Sequence, residues 1–337
     1  MAPHPQTWLK LLSQGLYCEP GGFFIDPLRG VERAVITHAH SDHARPGHAH
    51  ALCSPATRDL MQARMGQGAP ATIEALSWGE RVTMGGVGIS LHPAGHVLGS
   101  AQICLEYQGS RAVISGDYKR TADTTCDGFA PVACDVFVTE ATFALPVFRH
   151  PDPLAEIRRL LASVALFPER THVVGCYALG KTQRLIALLR EAGWDRPIHL
   201  HGALAPLCAI YEAHGVRLGD LRPATVAAKS DLVGGIVLAP PSAVADRWAR
   251  RLAEPVVAVA SGWMRVRQRA KQGGVELPLV ISDHADWDEL LATLDDVGAP
   301  EIWVTHGRED ALIHAAGLRG IKGRALRLVG YGEGEEE

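Results

Sequence analysis

Between residues 38 and 43 the chain reads His38-Ala39-His40-Ser41-Asp42-His43, four metal-ligating side chains in six positions. Imidazole nitrogen and carboxylate oxygen without thiolate suit Zn²⁺, and equally Mn²⁺ or Fe²⁺. In an extended or tightly turned loop, His38 and His40 converge on one ion while Asp42 and His43 turn towards a second, as two-metal hydrolysis requires. A merely solvated polar loop is the competing explanation. It is disfavoured because further pieces recur in matching positions: His96 in AGHVLGSA, Asp117 in ISGDYK and His306 in VTHGRED. Each stands beside a predicted strand, and a rigid sheet can present ligands from distant parts of a chain to one point.

The elements that must do this positioning fall into three zones. The N-terminal third predicts short strands at GFFI before Asp26, RAVIT before His38, VGISLH, AQICLEY and RAVIS before Gly116, with a helix over Ser54 to Met65. From about Pro151, strand and helix alternate: LAEIRRLLASVAL, THVVG, KTQRLIALLREAG, PIHLHG, LAPLCAIYEAHG, GGIVLAP and PVVAVASG. That is an α/β stretch. Past Gly274 the strand ELPLVIS, a helix over Asp286 to Asp295, the strand EIWVT and a helix after Arg308 resume the first pattern, with strands ending in His-bearing loops. The tail GEGEEE is expected to be disordered.

Composition sets the outer limits. At 337 residues, 47% hydrophobic and 21% charged, the chain is that of a globular protein, and its length favours two modules over one core. Thirty-three Lys plus Arg against thirty-seven Asp plus Glu leave a net charge of −4, which excludes a uniformly basic nucleic-acid coat. The seven Cys form no CxxC pair and are expected to be reduced and mostly buried. The opening MAPHPQTWLKLLSQ lacks a secretory signal, and no apolar run approaches the roughly 18 residues of a membrane span, so a cytoplasmic protein with no membrane partner is expected.

HAHSDH together with His96, Asp117 and a late His306 resembles the metallo-β-lactamase superfamily. The resemblance implies an αββα sandwich with a two-metal site at the sheet edges. It also implies that His38, His40 and His96 hold one metal, that Asp42, His43 and His306 hold the other, and that Asp117 bridges them. Asp26, after GFFI, matches the family's first acidic motif and would orient a ligand; as a lone Asp-Pro turn it has an equally good structural explanation. Glu140 in VTEAT, the α/β stretch that follows it and His284 in ISDHAD resemble the β-CASP branch, the nucleic-acid nucleases of the superfamily. Glu140 matches motif A, His284 motif B and His306 motif C. The implied division is a core over 1–144, a β-CASP insert over 145–269 and the returning core over 270–337, with the active-site cleft between core and insert.

The resemblance implies a phosphodiesterase with two divalent ions, Zn or Mn, in which a metal-bridging hydroxide attacks phosphorus. The leaving oxygen then needs a proton, and His284 is the expected general acid, with Glu140 holding its other ring nitrogen. His306 at motif C resembles RNA-processing members, whereas Ser261-Gly262-Trp263 and the acidic neighbour in Ser282-Asp283-His284 resemble DNA cross-link repair nucleases. The compact length and the wording SDHADW and YALGKTQ look most like bacterial ligase-associated DNA exonucleases, which implies DNA as substrate and a ligase and helicase repair system as partners. An RNA 3′-end-processing endoribonuclease is the alternative, followed by a small-molecule metallo-hydrolase and a catalytically silent binding module.

Two further features bear on the substrate. Gly175 to Thr182 fits GxxxxGK[ST] between a strand and a helix, the setting of a nucleotide-binding P-loop. No strand ending in a magnesium-binding Asp accompanies it, and β-CASP domains carry a similar step, so Lys181 is expected to touch backbone phosphate or to be solvated. Arg265, Arg267, Arg269 and Lys271 alternate after Trp263, and in an extended segment they would share one face. Arg265 and Arg267 are thus candidate phosphate contacts and Trp263 a candidate base-stacking platform.

Overall fold

The computed structural model describes residues 2–245, 248–252 and 254–326, and the acidic tail lies outside them. The chain forms two compact units. One is built from the residues up to Val147 and resumes at His284; the other is Phe148–Asp283, inserted between those two parts.

In the first unit a six-stranded sheet runs, in spatial order, Leu9–Leu12, Gly15–Cys18, Phe23–Ile25, Arg33–Val35, His50–Cys53 and Thr72–Ala75. It is antiparallel across its first three strands and parallel thereafter. A seven-stranded sheet runs Lys322–Ala325, Glu301–Gly307, Val136–Ala141, Ser110–Ile114, Ala101–Tyr107, Val87–Pro93 and Arg81–Met84. Its first four strands are parallel and the rest antiparallel.

The period-two alternation of side chains decides how the layers stack. Val87, Ile89, Leu91, Ile103, Leu105, Ile114 and Val136 point to one side, into a cluster shared with Leu16, Phe23, Ile25 and Val35 of the other sheet. Cys104, Val113 and Phe137 point the opposite way, against Leu290, Leu294 and Val297 of the helix Trp287–Val297 and Leu312 and Ala316 of Glu309–Gly317. Those helix positions recur at three and four residues, one apolar stripe each. The helix Pro55–Met65, capped by Ser54 with Pro55 at its first position, packs beside Thr72–Ala75. The unit is an α/β sandwich of two sheets with flanking helices, as the sequence predicts.

The second unit has its own six-stranded parallel sheet, ordered Leu221–Pro223, Ile198–Leu200, Ile236–Ala239, His172–Gly175, Val256–Ala260 and Leu277–Leu279. Its central strands are buried on both faces, which is why IVLA and HVVG carry no polar alternation. The strand in ELPLVIS, expected to open the returning core, completes this sheet instead: Leu279 pairs with Ala260. All seven Cys are free thiols; five are buried and Cys126 and Cys134 are partly so. No described helix is long and apolar enough to cross a membrane.

Candidate metal centre

The parallel runs of the first unit explain why distant residues meet. Asp26 follows Phe23–Ile25, the HAHSDH loop follows Arg33–Val35, Asp117 follows Ser110–Ile114, and Glu140 and His306 lie at the ends of Val136–Ala141 and Glu301–Gly307. Parallel strands deliver their carboxyl ends to one edge, where ligands bind in open α/β sheets. Val87–Pro93, antiparallel to a strand that is itself antiparallel to Ser110–Ile114, brings His96 to the same edge.

Two backbone irregularities aim the side chains. Glu140 pairs with Thr305 but Ala141 with Gly307, so His306 is the extra residue of a bulge; it has φ 59° and Gly307 has φ 83°. A Cβ on Gly307 would stand 2.2 Å from the carbonyl oxygen of Ala141. Before Asp117, Gly116 has φ 54° and a Cβ there would press on Thr37, so only glycine lets the two loops approach this closely.

The polar atoms converge. His38 Nε2 lies 3.1 Å and His96 Nε2 3.0 Å from His40 Nδ1. Asp117 Oδ2 is 3.6 Å from His38 Nε2, 3.8 Å from His96 Nε2 and 3.3 Å from His43 Nε2. Ligand atoms of His38, His40, His96 and Asp117 all lie within 4.8 Å of one another, and so do those of Asp42, His43 and His306. One lone pair on His40 Nδ1 can take one proton, whereas a single cation satisfies all three nitrogens. Donors about 2.0–2.1 Å from a common ion stand roughly 3.0–3.4 Å apart, the spacing seen here. The residues therefore fit divalent metal.

Electrostatics agree. Burial, helped by His43 and His96, holds His38 well below its ordinary pKa, and burial brings His306 down to about 4. Both rings are thus neutral and keep a lone pair to donate. Burial alone would raise Asp117, but the rings of His43, His284 and His38 outweigh it and hold the carboxyl well below the usual range. His43 is the exception: against burial, Asp117 and Asp42 raise it well above the ordinary value, so a proton sits where positive charge is wanted. Metal binding in such a set releases that proton.

Around the cluster a second ring of contacts fixes orientation. Asp26 Oδ2 accepts from Thr37 Oγ1 at 2.6 Å and lies 2.8 Å from His43 Nδ1, while Asp26 Oδ1 accepts from Thr37 N at 2.8 Å. Thr37 Oγ1 is also 3.1 Å from His38 Nδ1. Thr37 is fully buried, and nothing local in the sequence marks its role, since a Thr before a His-rich loop is commonplace until the fold brings Asp26 to it. Glu140, also fully buried, accepts from Tyr118 N at 2.8 Å and from Thr142 Oγ1 at 2.5 Å, and its Oε2 is 3.0 Å from His284 Nδ1. Burial raises the Glu140 carboxyl, while His284 and Thr142 draw it back. The His284 ring lies 4.6 Å from that of His96.

The remaining sequence candidates lie in the second unit. Lys181 is 2% exposed and its Nζ donates to Asp283 Oδ1 at 2.5 Å, so it is neither solvated nor presented to a phosphate. The P-loop pattern is occupied from within: Gly180 N donates to Gln183 Oε1 and Thr182 N to Tyr177 O. Arg265 and Arg267 are exposed, but the segment is a 3₁₀ turn, Gly262–Arg265, followed by the helix Arg267–Gln272. The shared strand face expected of the basic alternation is therefore absent there. Arg269 covers the face of Trp263 at 4.2 Å and Phe148 meets its edge at 5.2 Å.

Residues 25–171 match the family described as Metallo-beta-lactamase superfamily. The chain is 28% identical over 326 residues to a "Probable DNA ligase" of Opitutus terrae, covering 95% of this chain and 31% of that protein. It is 31% identical over 160 residues to "Cleavage and polyadenylation specificity factor subunit 3" of Dictyostelium discoideum, 44% of this chain and 20% of that one. An "RNase J-like protein" of Methanocaldococcus jannaschii is 27% identical over 219 residues, 55% of this chain and 51% of that one. The chain thus spans between a fifth and about half the length of these relatives. A crystal structure of a protein of unknown function from Enterococcus faecalis V583 shares the fold, with TM-score 0.59 and 13% identity over 90% of this chain and 80% of that one. Residues 25–171 thus match a metallo-β-lactamase superfamily domain, a fold that implies divalent metal, and the two groups of His and Asp described above fit such ions.

Proposed function

We propose that the protein is a metal-dependent nuclease that trims DNA ends as an exonuclease in repair. The observation that carries this is the buried pair Glu140–His284 beside His96. A hydrolase with a good leaving group needs no such acid, whereas the leaving oxygen of a phosphodiester must be protonated.

When bound, two divalent cations, zinc or manganese by the donor set, supply Lewis acidity that lowers the pKa of water and offsets charge growing on phosphorus. His38, His40 and His96 would hold one ion, and Asp42, His43 and His306 the other. Asp117 would serve both, its Oδ2 lying between 3.3 and 3.8 Å from nitrogens of the two sets. Asp26 fixes the ring of His43 through Nδ1. Glu140 accepts from His284 Nδ1–H, which leaves Nε2 to carry the proton that the leaving oxygen takes. Exposed Arg265 and Arg267 serve as phosphate contacts and Trp263 as an apolar neighbour of the strand, while Lys181 is withdrawn from that role by Asp283.

DNA is favoured because the relative named for DNA matches 95% of this chain, whereas those named for RNA processing match 44% and 55%. The same match supports work beside a DNA ligase, trimming ends that the ligase seals. Those RNA-named relatives, together with His306 at its motif position, favour a second reading, an endoribonuclease. The deciding experiment incubates the protein and Mn²⁺ or Zn²⁺ with matched end-labelled single-stranded DNA and RNA. Stepwise shortening of DNA is expected, and internal cleavage of RNA alone would transfer the proposal to the second reading. Inertness towards both, with turnover of a thioester or lactam, would end it.

A further inference from the structure

We infer that Glu289 is a positioning residue that fastens the loop bearing Asp117 to the loop bearing His284, and so sets the geometry between the metal centre and its acid. The inference rests on the roles proposed above for those two residues. Asp117 and His284 are far apart in sequence and lie on different segments of the first unit. The Asp117 segment leaves the sheet at Ile114 and does not re-enter it until Val136; Ser115 N donates to Val138 O and Lys119 N to Ala94 O, which tie it to the sheet but not to the loop bearing His284.

Glu289 lies in the first turn of the helix Trp287–Val297, just after His284. It forms a capping box with Asp286: Asp286 Oδ1 accepts from Glu289 N at 3.0 Å and Glu289 Oε2 from Asp286 N at 3.1 Å. Capping needs no more than this. Yet the carboxylate accepts three further hydrogen bonds, all from the segment that follows Asp117. Lys119 Nζ donates to Oε2 at 2.7 Å, and Thr121 N and Oγ1 donate to Oε1 at 2.6 and 2.7 Å.

Neighbouring contacts close the frame. Ala285 N donates to Tyr118 O at 2.6 Å, and Tyr118 N donates to Glu140, the same carboxylate that holds His284. Arg120 reaches Thr293 and Asp296 further along the helix. The Lys119 and Glu289 side chains are only 7% and 17% exposed. A pair withdrawn from water to this extent is costly to break from one end, so it holds the two loops in one geometry as well as contributing stability. A side chain that both starts the helix after His284 and grips the residues after Asp117 ties the two loops to one point.

The test compares wild type with Glu289→Gln and Lys119→Met, which cut the clamp from opposite ends. Mn²⁺ affinity of the metal-free protein is measured by titration calorimetry, kcat and KM on end-labelled single-stranded DNA, and melting temperature by circular dichroism. Expected for both variants are a loss of about tenfold or more in Mn²⁺ affinity and in kcat, with KM within about threefold, at a temperature where each remains folded. A lower melting temperature with unchanged Mn²⁺ affinity and kcat overturns the inference and leaves Glu289 a helix cap. Should Glu289→Gln not fold, Lys119→Met decides by the same criteria. If the wild type binds Mn²⁺ but cuts no nucleic acid, the nuclease proposal fails while the affinity comparison still judges the clamp.

Discussion

At the scale of single residues, the site separates side chains that hold charge from side chains that hold other side chains. His284 stands close to Asp117 and His96, but its Nδ1 lies 3.0 Å from Glu140 Oε2, the contact on which the proposed acid role rests. His284→Ala should therefore lower kcat on DNA about 100-fold while the metal content of the purified protein, read by atomic emission, is unchanged. Loss of metal together with activity would make His284 a ligand and remove it from the acid role. Thr37 is the opposite case, with no part in the proposed reaction yet bonded to Asp26 and beside His38 and His43. Thr37→Val keeps the shape and removes the hydroxyl, leaving a buried carboxylate oxygen short of a donor. A tenfold or greater fall in metal affinity by calorimetry is expected; an unaltered isotherm would mean that the rings orient themselves.

At the scale of elements, a bulge and a helix start govern where ligands point. In the left-handed region, with its α-carbon facing the Ala141 carbonyl, Gly307 admits no side chain. Gly307→Ala should cost about 2 kcal/mol or more in urea unfolding and weaken metal binding by displacing His306. Unchanged affinity in a folded variant would show that the bulge tolerates movement. The helix Trp287–Val297 carries a second prediction. Burial would raise the Glu289 carboxyl, but Lys119, Thr121 and Asp286 outweigh it and bring it from 4.5 down to about 2. A depressed carboxyl contributes stability that is complete above the unfolded value, near 4.5, and is lost as pH falls through the folded value, near 2. The contribution at pH 7 is on the order of 3 kcal/mol. The stability gap between wild type and Glu289→Gln should thus narrow from pH 7 to pH 3, and an equal gap at both would contradict it.

At the scale of the whole molecule, the second unit carries its own parallel sheet and its own buried ion pair. Lys181 and Asp283 are both nearly inaccessible, so Lys181→Met takes the cation away from a buried carboxylate and should destabilise the protein by about 3 kcal/mol, visible as an earlier calorimetric transition. Titration with ATP should give no heat of specific binding. Micromolar affinity abolished by Lys181→Ala would restore the P-loop reading of the same eight residues.

The sequence alone was enough to identify the His-rich loop, the strand before it, the downstream His and Asp and the change to strand–helix alternation near Pro151, because these are local patterns of donor type and apolar period. Tertiary structure decided what no window of residues contains. It placed Leu277–Leu279 in the inserted sheet, gave Asp26 an orienting contact in place of a bare turn, turned Lys181 inward and recruited Thr37 and Glu289. Each of these depends on a partner from another element, and Glu289 and Lys119 stand 170 positions apart. Hydrogen bonds and ion pairs are made by proximity in space, and a carboxylate's neighbours exist only once the sheets and helices that bring them have packed.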